Sequence, residues 1–220
     1  TLKRLADAIH DRDLPIVVLG RGSNMLVADP GFAGVCLILG EFASFVRPAS
    51  HSNNNGTLDV TIGGSTPLPV AARQLSALGV AGFEWAVGVP GSVGGAVRMN
   101  AGGHGSDMAA SLVRVRLVDL ATGHDVEMPA SELHLGYRSS SVAPSQVVVR
   151  ADLALLSGDR AQGSEVLSEV VRWRREHQPG GQNAGSVFTN PPGDSAGRLV
   201  DTAGCRGLRI GSAEVSTKHA

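Results

Sequence analysis

Apolar residues recur at helical spacing at Leu2, Leu5 and Ile9, and a continuous apolar run, Ile16 to Leu19, follows. The chain is therefore expected to open on a helix over residues 2–11 that leads into a buried strand. The strand meets Gly20-Arg21-Gly22-Ser23-Asn24, and Met25 to Ala28 then reads as extended. This glycine-rich turn is expected to join two strands rather than to open a helix. From Gly34 to Ile62 the pattern is VCLIL, FVRPAS and LDVTI, interrupted by the polar tip His51 to Gly56, which includes the short asparagine run Asn53 to Asn55. Short strands in an antiparallel layer are the expectation.

Thr66-Pro67-Leu68-Pro69 starts a helix to about Leu78, with proline near the first turn and Gly79 as the stop. After a glycine-rich interval, Gly82 to Gly105, strands are predicted at Leu112 to Asp119, Asp125 to Met128 and Val147 to Leu156. A short helical turn is placed at Ser131 to Leu135 and a serine-rich loop at Ser139 to Ser145. A second long helix spans Ser164 to His177, with Arg172, Arg174 and Arg175 late, where cations complement the helix dipole. These elements make an α+β protein of two domains, residues 1–155 and 156–220.

Composition narrows the function. With 42% hydrophobic residues in 220 the chain can bury a core, and a formal charge of −1 supplies no field for nucleic acid or a membrane surface. No stretch has the length and apolarity of a membrane span, and no basic-then-apolar leader precedes Thr1. Cys36 and Cys205 lack CxxC spacing, so neither a metal site nor a disulfide framework is indicated, and a reduced, cytoplasmic protein is expected. The 29 glycines against eight aromatic residues (five Phe, two Trp, one Tyr) suit a site built from loops. The missing initial Met suggests a segment of a longer gene product.

Two glycine-rich segments carry the candidate chemistry. Gly20, Arg21, Gly22, Ser23, Asn24 and Met25 form the first, in which backbone N–H groups and small polar side chains can converge on an anion, although such turns between strands are often only turns. Gly88, Val89, Pro90, Gly91, Ser92, Gly94, Gly95 and Ala96, followed by Asn100, form the second. Its small residues can set the unpaired N–H groups of a helix start against a pyrophosphate. Two cradles suit a dinucleotide. Neither has G-x-G-x-x-G spacing, and no G-x-x-x-x-G-K-[ST] occurs, so Rossmann and P-loop readings lose support.

LGRGSNMLVAD, GVPGSVGGAVRMNAGGHG, GYRSS, AGSVFTNP and GLRIGSAEVSTKHA occur in this order, and over residues 16–220 the chain resembles the UDP-N-acetylenolpyruvoylglucosamine reductases. The resemblance implies a flavin domain of the PCMH, vanillyl-alcohol oxidase-like class, followed by part of a substrate domain. It implies bound FAD, NADPH as hydride donor, and a UDP-sugar substrate handled by a monomer. It also implies that Arg138 holds and polarises the substrate carboxylate, that Ser186 protonates the enol carbon, and that Tyr137, Asn190 and Lys218 (with His219) contact substrate. From the residues alone, Arg138 reads first as a surface ion-pair partner, Ser186 as a small residue in a turn and Tyr137 as a packing aromatic; their place inside the family motifs reverses that for Arg138 and Ser186.

The departures are informative. The family's third catalytic group, a glutamate near the C-terminus, follows the KHA motif where this sequence stops, and Glu214 precedes that motif and is no stand-in. Both ends therefore look trimmed relative to the family. Thr189 stands where lysine is frequent and His104 where tyrosine is. No tyrosine lies between Arg138 and Ser186, as in the family's type without a tyrosine loop. Two other functions compete: a flavin oxidase of the same fold class with His104 as a covalent attachment point, and a flavin-binding module without turnover.

Overall fold

The computed structural model describes residues 2–12, 14–48, 56–181 and 183–218. The tip at His51 to Asn55, the end of the FVRPAS segment and His219 lie outside the described residues.

Helix α1 (Leu2–Ile9) forms as its spacing predicts. Ala6 is buried against Leu120 and Val147, with Leu2, Leu5 and Ile9 packed around them. Strand β1 (Ile16–Val18) pairs in parallel with β2 (Val35–Leu37), in the register Ile16↔Val35. This corrects the expected single antiparallel layer, because β2 leaves it to join β1. Ile16, Val18, Leu37 and Leu39 all pack on the α1 cluster, and residues 19–34 form a connection long enough for a parallel crossing. Met25 to Ala28 have no ladder partner and are exposed, so the extended segment expected there is not a strand.

The main sheet is built from β3 (Val46–Pro48), β4 (Thr57–Gly63), β5 (Val80–Ala81), β8 (Leu112–Asp119), β9 (Asp125–Pro129) and β10 (Gln146–Ser157). Its order is β3-β4-β10-β8-β9, antiparallel throughout, with β5 on the end of β10. The short hairpin β6 (Gly102–Gly103) and β7 (Ser106–Asp107) stands apart from it. In-register alternation buries Val60 and Ile62 of β4, Val115 of β8 and Ala151 and Leu153 of β10. Helices α2 (Leu68–Ala77) and α3 (Val93–Met99) supply Leu68, Ala71, Leu75, Val93 and Val97 to the same core.

The opposite face of the sheet is polar, as antiparallel sheets with one solvated side require. Asp152 on β10 accepts from Thr61 Oγ1 at 2.8 Å and Arg114 Nε at 2.7 Å, and Arg116 grips Asp125 through two bonds of 2.8 Å. Arg150 of β10 pairs with Glu127 of β9, reaching over the intervening β8.

Helix termini follow their capping chemistry. Pro69 sits in the first turn of α2, and Gly79 follows its end at φ +76°. Helix α4 (Arg160–His177) starts four residues before the expected Ser164, because the Asp159 carboxylate accepts from Gln162 N–H at 2.9 Å.

The described chain divides into two compact units, one of residues 1–23 and 27–170, the other of residues 24–26 and 171–220. The second holds the end of α4, helix α5 (Ala196–Thr202) and the hairpin β11 (Arg209–Ile210) with β12 (Ala213–Glu214). Sequence patterning had not marked α5 or the hairpin. Ser195 caps α5 by accepting from Arg198 N–H at 3.2 Å, while Arg198–Asp194 and Arg209–Glu214 ion pairs tie neighbouring positions.

Candidate flavin and substrate site

Within the first unit, a cleft of about 500 Å³ opens where the two glycine-rich segments meet. That volume lies in the range of pockets for small ligands and cofactors. Gly20 and Arg21 line it from the end of β1, and Ser92, Gly94 and Gly95 from the start of α3.

The segments interlock. Ser23 Oγ donates to the carbonyl of Pro90 at 2.9 Å. A Cβ at Gly20 would come within 2.6 Å of Ser92 Oγ and would have to displace the hydroxyl that caps α3. Gly94 plays the same part beneath the cleft: its N–H donates to Gly64 O at 2.8 Å, and a Cβ would meet the carbonyls of Gly64 and Val148 at 3.0 and 3.2 Å.

One expectation changes here. The N–H groups at the start of α3 are not left unpaired for a pyrophosphate. Val93 donates to Thr66 O at 2.9 Å, Gly94 to Gly64 O, and Gly95 to Ser92 Oγ at 3.3 Å. The cationic groups on the cleft wall are instead Arg21 and Arg98. Arg98 went unmarked in the sequence, as did the walls from Ile38 to Ser44 and from Val142 to Val148, because apolar patterning carries no sign of which distant loops a cleft will gather.

The other predicted cofactor residues are placed as follows. Gly22 shapes the first turn at φ +69°, and Gly91 precedes the Ser92 cap at φ +143°. Gly88 and Ala96 are buried, Ala96 at 2% exposure, and act in packing, while Val89 and Pro90 form the link into α3. Asn24 and Met25 fall in the second unit and are exposed.

A second cavity of about 410 Å³ is lined by Asn100, Gly102, Ser106, Asp107, Tyr137 and Arg138, among others. Tyr137 and Arg138 form the tip of a two-residue turn closed by Gly136 and Ser139, with backbone bonds of 3.1 and 3.2 Å. Arg138 has φ +55°, a conformation that glycine favours at this turn position. Its guanidinium lies 5.9 Å from the centre of the Tyr137 ring. Asn100, expected at the flavin, lines this cavity instead, and its amide is fully engaged by protein: Nδ2 donates to Asp107 and Gly136 O, and Oδ1 accepts from Ala109 N–H. His104 stands in the β6–β7 turn at φ +52° and is not among the residues lining the first cleft.

Ser186 lies in the second unit, in the exposed stretch 183–190, just after Gly185 at φ +67°. Asn190 Oδ1 accepts from Ala196 N–H at 3.0 Å and so helps cap α5. Lys218 is exposed, its N–H donating to Ser216 Oγ at 3.1 Å. Among the described residues no His, Cys, Asp and Glu cluster could hold a metal.

The glycine-lined cleft, with Arg21 and Arg98 on its wall, fits a dinucleotide, and comparison with known proteins gives the same answer. Residues 1–128 match the FAD binding domain family model, and residues 177–220 match the model of the UDP-N-acetylenolpyruvoylglucosamine reductase C-terminal domain. UDP-N-acetylenolpyruvoylglucosamine reductase 2 of Symbiobacterium thermophilum is 40% identical over 222 residues, covering 100% of this chain and 69% of that protein. The reductase of Chloroflexus aggregans is 40% identical over 217 residues, covering 94% and 70%. The crystal structure of UDP-N-acetylenolpyruvylglucosamine reductase from Thermus caldophilus superposes with a TM-score of 0.82 at 36% identity, covering 100% of this chain and 76% of that one. With two glycine loops gathered at one cleft, a flavin-domain match and whole-chain relatives of one kind, the chain belongs to the UDP-N-acetylenolpyruvoylglucosamine reductase family.

Proposed function

We propose that the protein is an FAD-dependent oxidoreductase that uses NADPH to reduce UDP-N-acetylglucosamine enolpyruvate to UDP-N-acetylmuramate, a step of peptidoglycan precursor synthesis. The observation that carries this is the cleft of the first unit, where the Gly20 turn and the Ser92 helix start meet in a chain of this family. FAD, when bound, supplies the hydride that it has received from NADPH.

The chain's own residues supply placement and proton chemistry. Gly20, Arg21, Ser92, Gly94 and Gly95 form the wall against which the cofactor lies, and the Arg21 and Arg98 guanidiniums offset phosphate charge there. Arg138, a permanent cation with a forked donor set, holds the enolpyruvyl carboxylate and draws electron density toward it as the double bond is reduced. The Ser186 hydroxyl gives a proton to the carbon that becomes carbanion-like. A serine is a weak acid and can do this only toward a strongly basic centre and at a fixed geometry. Tyr137, Asn190 and Lys218 are assigned to the substrate nucleotide.

Residues 1–155 are assigned to the flavin and 156–220 to the substrate, and the segments matching the two family models lie on either side of that boundary. The same reading makes the enzyme a cytoplasmic monomer. No helix of the described residues is long and apolar enough to cross a membrane.

The test is the visible spectrum of the purified full chain, followed by anaerobic reduction with NADPH and reoxidation by the enolpyruvyl nucleotide, alongside Ser186→Ala. Substrate-driven reoxidation that Ser186→Ala largely abolishes is the expected result. Bound flavin reoxidised only by oxygen would point to an oxidase, and absence of flavin would overturn the proposal.

A further inference from the structure

We infer that Asn100 is a positioning residue for Arg138, acting through the backbone of the turn that carries it, and is not a ligand of the flavin. The inference rests on the role given to Arg138 above. Asn100 ends α3 in the left-handed conformation, φ 39° and ψ 55°, and is 7% exposed. Asparagine is one of the few side-chain-bearing residues at home in that conformation.

Its amide leaves no donor over. One N–H reaches the carbonyl of Gly136 at 3.1 Å and the other Asp107 Oδ2 at 3.1 Å, while Oδ1 takes the N–H of Ala109 at 2.9 Å. The orientation is fixed by its partners, since a flipped amide would set oxygen against both a carbonyl and a carboxylate. Asp107 is itself held by accepting from Ala110 N–H at 3.1 Å.

The turn has a second tie to the same helix end. Ser140 Oγ donates to the carbonyl of Arg98 at 2.7 Å and accepts from Val142 N–H at 3.3 Å. Tyr137 and Arg138 are therefore gripped on both sides, at Gly136 and Ser140, by the last residues of α3. Gly94, Gly95 and Arg98 of that helix line the flavin cleft. One short helix thus fixes the cofactor wall and the turn that aims the arginine. A forked carboxylate contact is lost by displacements near 1 Å, a scale that costs about 10²-fold in rate.

The experiment uses the flavin-loaded full chain with Asn100→Gly, which keeps the left-handed backbone and removes the amide. It measures FAD affinity, the rate of flavin reduction by NADPH, and kcat and KM for the enolpyruvyl nucleotide, in a double-mutant cycle with Arg138→Ala. FAD affinity and flavin reduction should stay within about twofold, while kcat/KM for the nucleotide falls about 10- to 100-fold. The double variant should be no worse than Arg138→Ala alone. Weakened FAD binding with nucleotide turnover intact at saturating flavin would overturn the inference, as would losses that multiply in the double variant. Intact turnover in Arg138→Ala alone would remove the role of Arg138 and this inference with it, an outcome distinct from failure at Asn100. Should Asn100→Gly not fold, Ser140→Ala in the same cycle decides, with a loss of about fivefold expected to vanish in the Arg138→Ala background.

Discussion

Replacing Arg138 by glycine separates backbone strain from chemistry at one position. Arg138 stands at φ +55° in the Gly136–Ser139 turn, and a left-handed conformation costs a non-glycine residue about 1–2 kcal/mol. Glycine removes that cost, while the freedom it adds to the unfolded chain gives back about 0.4–1 kcal/mol. The turn's hydrogen bonds are made by the backbone of Gly136 and Ser139, and so survive the substitution. The guanidinium's contact with the Tyr137 ring, 5.9 Å at an exposed site, adds about 0.5 kcal/mol at most. Arg138→Gly should therefore lie between about 0.5 kcal/mol less stable and about 1.6 kcal/mol more stable than the parent, and Arg138→Ala, which keeps the strain, should be the less stable of the two. Both lose the cation, so both should drop about 10²–10³-fold in kcat/KM for the nucleotide. Urea unfolding at fixed FAD concentration, with unchanged m values, measures the first effect, and steady-state kinetics the second. If Arg138→Gly unfolds at lower urea than Arg138→Ala, the strain argument fails; if it turns over like the parent, the assignment of Arg138 fails.

Three more outcomes follow from the same structure. Ser23→Ala removes the hydroxyl bond to Pro90 O that locks the two glycine segments together, worth about 1 kcal/mol, and should weaken FAD binding about fivefold by fluorescence titration. Gly94→Ala forces a Cβ to 3.0 Å from the Gly64 carbonyl and should cost about 1–3 kcal/mol in a thermal melt, despite alanine's helix propensity. Gly95→Ala, with Ser92 Oγ at 3.4 Å as its nearest neighbour, should melt no lower than the parent, and higher by whatever alanine's helix propensity supplies, up to about 1 kcal/mol. The Asp194 carboxyl is held down to about 2 by the Arg198 guanidinium and then by the Ser195 N–H. Because its folded value is depressed, its support for the start of α5 is complete above the ordinary carboxylate range and fades as pH falls toward 2. An NMR titration of Asp194 with a midpoint near 3.8 would contradict this.

Local pattern carried much of the fold. The strand pattern placed β8, β9 and β10 nearly to the residue, and Pro69 and Gly79 bracketed α2, because these signals sit inside the segments they describe. The pairing of β2 was not legible, since parallel partnership with β1 is settled by packing on Ala6, Leu120 and Val147, far away in the chain. Helix α5 and its neighbouring hairpin escaped notice because their residues are largely exposed and show no apolar stripe. In the candidate site, ordered motifs marked the glycine turns, Tyr137, Arg138 and Ser186, and identified the family.

What the sequence determined by itself was which residue types are available: small residues where backbones must nearly touch, and a forked cation in a tight turn. Only the tertiary structure decided how they are used. It gave the N–H groups at the start of α3 to Gly64, Thr66 and Ser92, and it brought Arg98 to the cleft wall. It also tied the Asn100 amide to the backbone of the turn that carries Arg138. The physical reason is that a backbone N–H or a side-chain amide bonds whichever acceptor the fold brings within about 3 Å, and proximity between residues 36 to 91 positions apart, as for Asn100 with Gly136 or Thr61 with Asp152, is a property of the packed chain and not of any local segment.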